Sequence, residues 1–354
     1  MDPIGLDPGY GLIKVATAGG DFVMPSYVAA VRRVGLAASG LRLARATIVR
    51  VGEKEYAIGE GAPMRGAVYE SIEDARFLQE PSLALFLGAV ARALPSAAEP
   101  VALVVGLPVA LLQGQQGREI AGGLRRLLTG THSLEVDGKA LSLSVRHVWV
   151  RAQPLGVWAD WALDDEGQAL PGVRRALVGI VDVGWGTVDL IGIQGGQVNA
   201  DMVAGADLGV RVLLEDASGD DAMPLHELAR RFAGGTLTVD ERHVSRWATE
   251  IAAFVRRRWR RSRPQLVILA GGGIALLKEY GALDVLKAAL AGETLLPHDP
   301  VTTGARGLRK LARGLVSRER MREALAQTVG QGEVDGDGSE AAAPEGAAAG
   351  PTYP

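Results

Sequence analysis

Ile4-Gly5-Leu6-Asp7-Pro8-Gly9-Tyr10-Gly11 opens the chain, and Ile180-Val181-Asp182-Val183-Gly184-Trp185-Gly186-Thr187 repeats its plan near the middle. Each is an apolar run ending in Asp-x-Gly-aromatic-Gly, which predicts a β-strand whose exit turn carries a carboxylate and two glycines. Glycine lets the backbone bend tightly and leaves bare N–H groups, as a phosphate chain lying against main chain requires. The aspartates suit a hydrated divalent cation. One such turn is also what an ordinary hairpin looks like. Two of them, with Asp182 following Asp7 by 175 residues, predict two related lobes gripping one nucleotide. Lys14 lies three residues past the first turn, where strand alternation returns its ammonium toward the phosphates. Thr187 and Asp189 follow the second.

Asp7 to Lys14 resembles the first phosphate motif of the actin, sugar-kinase and heat-shock-chaperone ATPase superfamily, and Asp182 to Asp189 resembles the second. A third run, Leu266-Val267-Ile268-Leu269-Ala270-Gly271-Gly272-Gly273-Ile274-Ala275-Leu276-Leu277, resembles the adenosine motif. All three stand in the family's order. Val23-Met24-Pro25-Ser26, Val104-Val105-Gly106-Leu107-Pro108-Val109 and Thr303-Gly304-Ala305-Arg306-Gly307-Leu308 are similar to strings in bacterial and archaeal actin homologues, ParM-type plasmid-segregation actins above all. The resemblance runs from about residue 3 to about residue 328.

The resemblance implies an α/β, actin-like fold, with two ribonuclease H-like lobes and ATP or ADP with Mg2+ in the cleft between them. Asp7 and Asp182 would hold the cation through its waters and share catalysis with Gln153, which stands where such proteins place a Gln or Glu to orient the attacking water. Lys14 would neutralise phosphate charge. Gly9, Tyr10, Gly11, Gly184, Trp185 and Gly186 would offer backbone donors, with the two aromatic rings packed beside the turns. Thr187 would bond a phosphate oxygen or satisfy its own turn; Asp189 would reach the cation or pair with Lys14. Gly271, Gly272 and Gly273 would line base and ribose, with Leu276 as apolar wall in a place where actins carry an aromatic residue.

The 354-residue length and 47% hydrophobic content support two substantial cores. With no cysteine there are no disulfides, thiolate metal sites or cysteine nucleophiles, which fits a reducing cytoplasm. Five scattered histidines make no metal cluster. The first strand begins too early to leave room for a signal peptide, and no apolar run reaches the roughly 18 residues that cross a bilayer. A net charge of −3 gives no bulk attraction to DNA.

Strands are expected at Leu12–Ala18, Phe22–Val31, Val101–Val105 and Leu141–Val150. Helical spacing marks Glu80–Leu94, Leu155–Leu163 and Ala305–Val329. The polar loop Asp164–Gly172 is the best internal boundary. Lobe I is then residues 1–163, completed by a C-terminal helix at 304–329; lobe II is 164–303, with a helical insertion at about 210–263. Residues 330–354 hold five acids and no Lys or Arg and are expected to form a disordered acidic tail. Trp247, Ile251, Val255 and Trp259 recur every fourth position into Arg256-Arg257-Arg258-Trp259-Arg260-Arg261-Ser262-Arg263. That predicts a helix buried on one stripe, its arginines a solvated face, a subunit contact or a patch for the acidic tail.

The expected function is a filament-forming ATPase of the cytoskeletal, plasmid-segregating kind, assembling with itself and reaching DNA through an adaptor protein, with no membrane contact. A small-molecule kinase of the same fold and a non-polymerising ATP-gated scaffold are the alternatives.

Overall fold

The computed structural model describes residues 1–32, 45–69, 74–94, 96, 99–220 and 222–332. The acidic tail lies outside them from residue 333 onward. Among the described residues, nine strands form one sheet: β1 (Asp2–Pro8), β2 (Leu12–Thr17), β3 (Gly20–Pro25), β4 (Val28–Ala30), β5 (Thr47–Val51), β6 (Lys54–Ile58), β7 (Val101–Leu107), β8 (Gly130–Val136) and β9 (Lys139–Ala152). Five form the other: β10 (Leu177–Val183), β11 (Val188–Gln194), β12 (Gln197–Ala206), β13 (Leu266–Ala270) and β14 (Glu293–Leu295). The helices are α1 (Glu80–Ala93), α2 (Val109–Leu112), α3 (Gly114–Leu128), α4 (Gln153–Ala162), α5 (Val210–Ser218), α6 (Leu225–Ala233), α7 (Glu241–Arg258), α8 (Gly272–Glu279), α9 (Leu283–Lys287) and α10 (Thr303–Gly332).

The duplication seen in the hairpins extends to whole sheets. The run β3-β2-β1-β7-β9 and the run β12-β11-β10-β13-β14 share one order, with two antiparallel pairings followed by two parallel ones. β1 and β10 occupy the same inner place, covered on both faces, which is why their sequences are apolar almost throughout. In β1, Ile4 and Leu6 face the core shared with α1 and α3. In β10, Val181 and Val183 face the core that holds the α7 stripe of Trp247, Ile251 and Val255. The opposite faces carry Asp7 and Asp182, and they are covered by a helix each.

Those two helices are exchanged between the sheets. α4 follows β9 of the first sheet yet packs Val157, Trp158 and Ala162 on Ile180, Ile191 and Ile268 of the second. α10 follows β14 of the second sheet yet packs Leu308 and Ala312 on Val104 of the first. They meet backbone to backbone: a Cβ on Gly307 would stand 1.7 Å from the Gly156 carbonyl oxygen, and one on Gly156 would stand 2.3 Å from that of Gly304. Gly5 admits α10 to β1 in the same way, since its Cβ would lie 2.0 Å from the Ala305 oxygen.

The strand expected at Phe22–Val31 is two strands. The chain breaks at Ser26, whose N–H donates to the Gly11 oxygen at 2.9 Å and whose hydroxyl donates to the Gly9 oxygen at 2.7 Å. α4 starts at Gln153 with Pro154 in its first turn, where the missing N–H costs nothing. No helix among the described residues is long and apolar enough to cross a membrane.

Candidate functional site

Both Asp-x-Gly-aromatic-Gly turns open on one cleft of about 340 Å³, a size suited to a small-molecule ligand. Their partners in the fold arrange the turns in the same sense. In the first turn, Ser26 takes up the carbonyls of Gly9 and Gly11, and Arg76 Nη2 donates to that of Pro8 at 3.3 Å. In the second, the carbonyls of Gly184, Trp185 and Gly186 accept from Val210, Arg211 and Gly209 at the start of α5, at 3.0, 2.9 and 3.2 Å. The N–H groups of Gly9, Gly11, Trp185 and Gly186 find no acceptor among the described residues. With carbonyls occupied and donors free, both turns present what an anion needs.

The second glycine of each turn has a further reason. A Cβ on Gly11 would stand 2.8 Å from the Trp185 ring, and one on Gly186 would stand 3.0 Å from the Tyr10 ring. Each turn's aromatic side chain therefore lies on the other turn's glycine, and the aromatic positions hold the two turns together. Arg76 braces Tyr10 from behind, its guanidinium carbon 3.8 Å from the ring centroid. Burial lowers the Arg76 pKa to about 10.

Asp7, at the end of β1, accepts from Lys14 Nζ at 2.8 Å and from Gln153 Nε2 at 2.6 Å. Lys14 stands opposite Asp7 across the β1–β2 pair. Burial works against the Lys14 ammonium, but the charge and hydrogen bond of Asp7, with Asp182 and Asp299 at longer range, raise its pKa overall. The Asp182 carboxylate accepts no hydrogen bond among the described residues. Burial first, then the Asp7 charge, raise its pKa to about 6 against the pull of Lys14. A carboxylate that the protein leaves so poorly compensated fits a cation held through water, and among the described residues no group of three His, Cys, Asp or Glu stands ready to ligate a metal directly.

Gly271 leads into α8 with φ +94°, and a Cβ there would meet the Val183 oxygen at 2.2 Å and Asp182 Oδ1 at 2.6 Å. Only glycine closes this corner of the cleft. Gly272 and Leu276 line it too. Gly273 does not: it faces Val183 and Trp247, so its small size serves the packing of α8 on β10. Thr187 spends its hydroxyl on Asp189 Oδ2 at 3.0 Å, satisfying its own turn. Asp189 does not pair with Lys14, whose ammonium goes to Asp7. Its Oδ1 accepts from the Val109 N–H at 3.2 Å, tying β11 to the start of α2 across the two halves of the chain. Burial, then Asp182, raise its pKa to about 7 while the Thr187 and Val109 bonds oppose them.

Several lining residues carry no sequence signal. Phe232 and Ala229 come from α6, deep in the helical insertion, and Tyr27 comes from the break after β3. Ser26 lay in view within a quoted string, but its bonds to the first turn depend on the break in the strand. Arg76 had no signal at all, since nothing local distinguishes it from a surface arginine.

Residues 5–156 match the family model for the N-terminal domain of actin-like proteins, and the chain as a whole has the actin-like fold. The ParM protein of pSK41 superposes with a TM-score of 0.68 at 16% identity, over 90% of this chain and 98% of that one. The archaeal actin homologue Ta0583 gives 0.65 at 17% identity in a complex with ADP, over 88% of this chain and 99% of that one. A 15-stranded ParM filament from Clostridium botulinum gives the same TM-score, identity and coverage. No curated protein matches the chain by sequence.

Proposed function

We propose that this chain is a nucleotide-dependent, filament-forming actin-like ATPase, binding ATP or ADP with Mg2+ between a lobe of residues 1–163, completed by 304–329, and a lobe of residues 164–303. One observation carries the reading: two turns of matching sequence, on sheets of matching order, face each other across one cleft, with the N–H groups of Gly9, Gly11, Trp185 and Gly186 without acceptors among the described residues and Asp7, Lys14 and Asp182 between them. The ADP complex of Ta0583 and the filaments of ParM and Alp12 among the similar structures support the same direction.

In this reading the turn N–H groups and Lys14 bind the phosphates, and Asp7 and Asp182 hold the waters of the cation. The cation supplies neutralisation of charge on the phosphates. Gln153 orients the attacking water; its amide already donates to Asp7, which fixes the side chain at the floor of the cleft. The base lies toward Gly271, Gly272 and Leu276. Because each turn belongs to a different sheet, a ligand bound to both biases the lobe angle, and that bias couples the nucleotide to assembly. Subunits added head to tail in one lobe angle give an open helix. The cellular role is cytoskeletal: positioning of plasmid DNA in the cytoplasm through a DNA-bound adaptor.

Electron microscopy and sedimentation with Mg2+ and ATP, ADP or a non-hydrolysable analogue, alongside phosphate release, test this. Filaments that depend on the nucleotide, with phosphate released as they form, are expected. ADP production that requires a sugar, with no polymer, would instead make the chain a kinase; nucleotide binding with neither would make it a scaffold.

A further inference from the structure

α7 ends in Arg256-Arg257-Arg258, and Arg260, Arg261 and Arg263 follow, all six exposed around the buried Trp259. Trp259 anchors the segment, its Nε1 donating to the Met202 oxygen at 3.1 Å and its ring filling the space beside Gly179. The backbone there is consequently fixed while the arginines project. Among the described residues no carboxylate comes within ion-pair distance of any of the six. Exposed arginines elsewhere in the fold do find partners: Arg230 and Arg231 share Glu227, and Arg246 meets Asp216. A recess of about 140 Å³ lined by Val255, Trp259, Pro264 and Leu290 opens among the six.

The complementary charge is in the same chain. Residues 333–354 carry Glu333, Asp335, Asp337, Glu340 and Glu345 and no Lys or Arg, so the net charge of −3 divides into −5 on this segment and +2 on residues 1–332. The segment begins directly after α10, at Gly332. Thirteen extended residues, as far as Glu345, span about 45 Å, comparable with the width of a body of this size, whose radius of gyration is about 20 Å.

We infer that the acidic segment Glu333–Glu345 docks on the arginine face at Arg256–Arg263. The contact is one of charge, which explains why the arginines lack partners within the folded body and why the acids are clustered where no base accompanies them. It is independent of the nucleotide reading, since no cleft residue takes part.

The absence of native cysteine allows a direct test in the full chain. Spin labels on Ser339→Cys and Ser262→Cys report their separation by pulsed electron resonance. A short-distance population is expected at about 0.01 M salt, falling several-fold at about 1 M, where the screening length shortens from ~30 Å to ~3 Å. Dilution with unlabelled protein tells a contact within one copy, which persists, from one between copies, which fades; either supports the docking. Replacing Arg256, Arg257, Arg260 and Arg261 by Ser abolishes the population, as does Asp335→Asn with Asp337→Asn and Glu340→Gln, which leaves the folded body untouched. Distances indifferent to salt and to both charge sets overturn the inference. So does DNA binding that the arginine replacement abolishes while tail distances stay unchanged, which assigns the face to nucleic acid.

Discussion

At the scale of single residues, the carboxylates at the cleft separate into different tasks by what surrounds them. Asp7 is engaged by Lys14 and Gln153, whereas the half-buried Asp182 carboxylate finds no donor among the described residues. Asp182→Ala is expected to weaken binding of Mg-nucleotide by about 10-fold or more, the scale of losing one anchor of a cation; titration with and without Mg2+ measures it, and unchanged affinity removes Asp182 from the cation site. Gln153→Ala is expected to slow phosphate release about 100-fold or more while nucleotide affinity changes little, as for loss of a water-orienting group; single-turnover assays separate the two. Asp189 has a structural consequence with a definite sign. Its folded pKa of about 7 stands above the ordinary 3.8, so its contribution to stability is whole below the unfolded pKa and is lost as pH rises through the folded one. Asp189→Asn keeps both hydrogen bonds, with its oxygen toward Val109 and its amide toward Thr187. It is expected to match the wild type near pH 4 and to be more stable at pH 8 by up to about 4 kcal/mol; thermal melts across that range show whether the gap opens.

Among elements, glycine decides which backbones touch. The α4–α10 crossing leaves no space for a Cβ at Gly307, so Gly307→Ala is expected to force the helices apart and cost about 3 kcal/mol or more, read from denaturant midpoints. Gly11→Ala tests the interlocked turns. The new methyl would collide with the Trp185 ring, so nucleotide affinity should fall while the melting temperature, set by cores remote from the turn, changes little. Strand and helix positions near the motifs were legible because their apolar periodicity is set locally: the α7 stripe of Trp247, Ile251, Val255 and Trp259 is buried as its spacing requires. The break at Ser26 was not legible. Phe22 to Val31 has the composition of one strand, and only the first turn, whose Gly9 carbonyl accepts from the Ser26 hydroxyl, takes the chain out of the β2–β3 pairing there.

For the whole molecule, the exchange of α4 and α10 means that neither sheet has a complete core without a helix from the other half of the chain. The glycine crossing of the two helices and the Asp189–Val109 bond are therefore two ties that span the halves. Nucleotide is expected to add RT ln(1 + [L]/Kd) to the stability and so to raise the melting temperature in a single transition, because a ligand held by both turns stabilises both halves at once; two transitions of which only one responds would contradict a shared site.

The sequence by itself determined the duplicated strand-turn plan, the actin-like class, and the two acidic glycine turns that meet at the cleft, because strand periodicity, turn glycines and chain order are properties of local chemistry. The tertiary structure alone decided what those residues do for each other. That Tyr10 and Trp185 lock the turns by lying on opposite glycines, that Thr187 serves Asp189, that Gly273 packs α8 and that Phe232 enters the cleft from α6 all depend on contacts between segments far apart in sequence. Such contacts are set by how the sheets and helices pack, and no run of neighbouring residues encodes them.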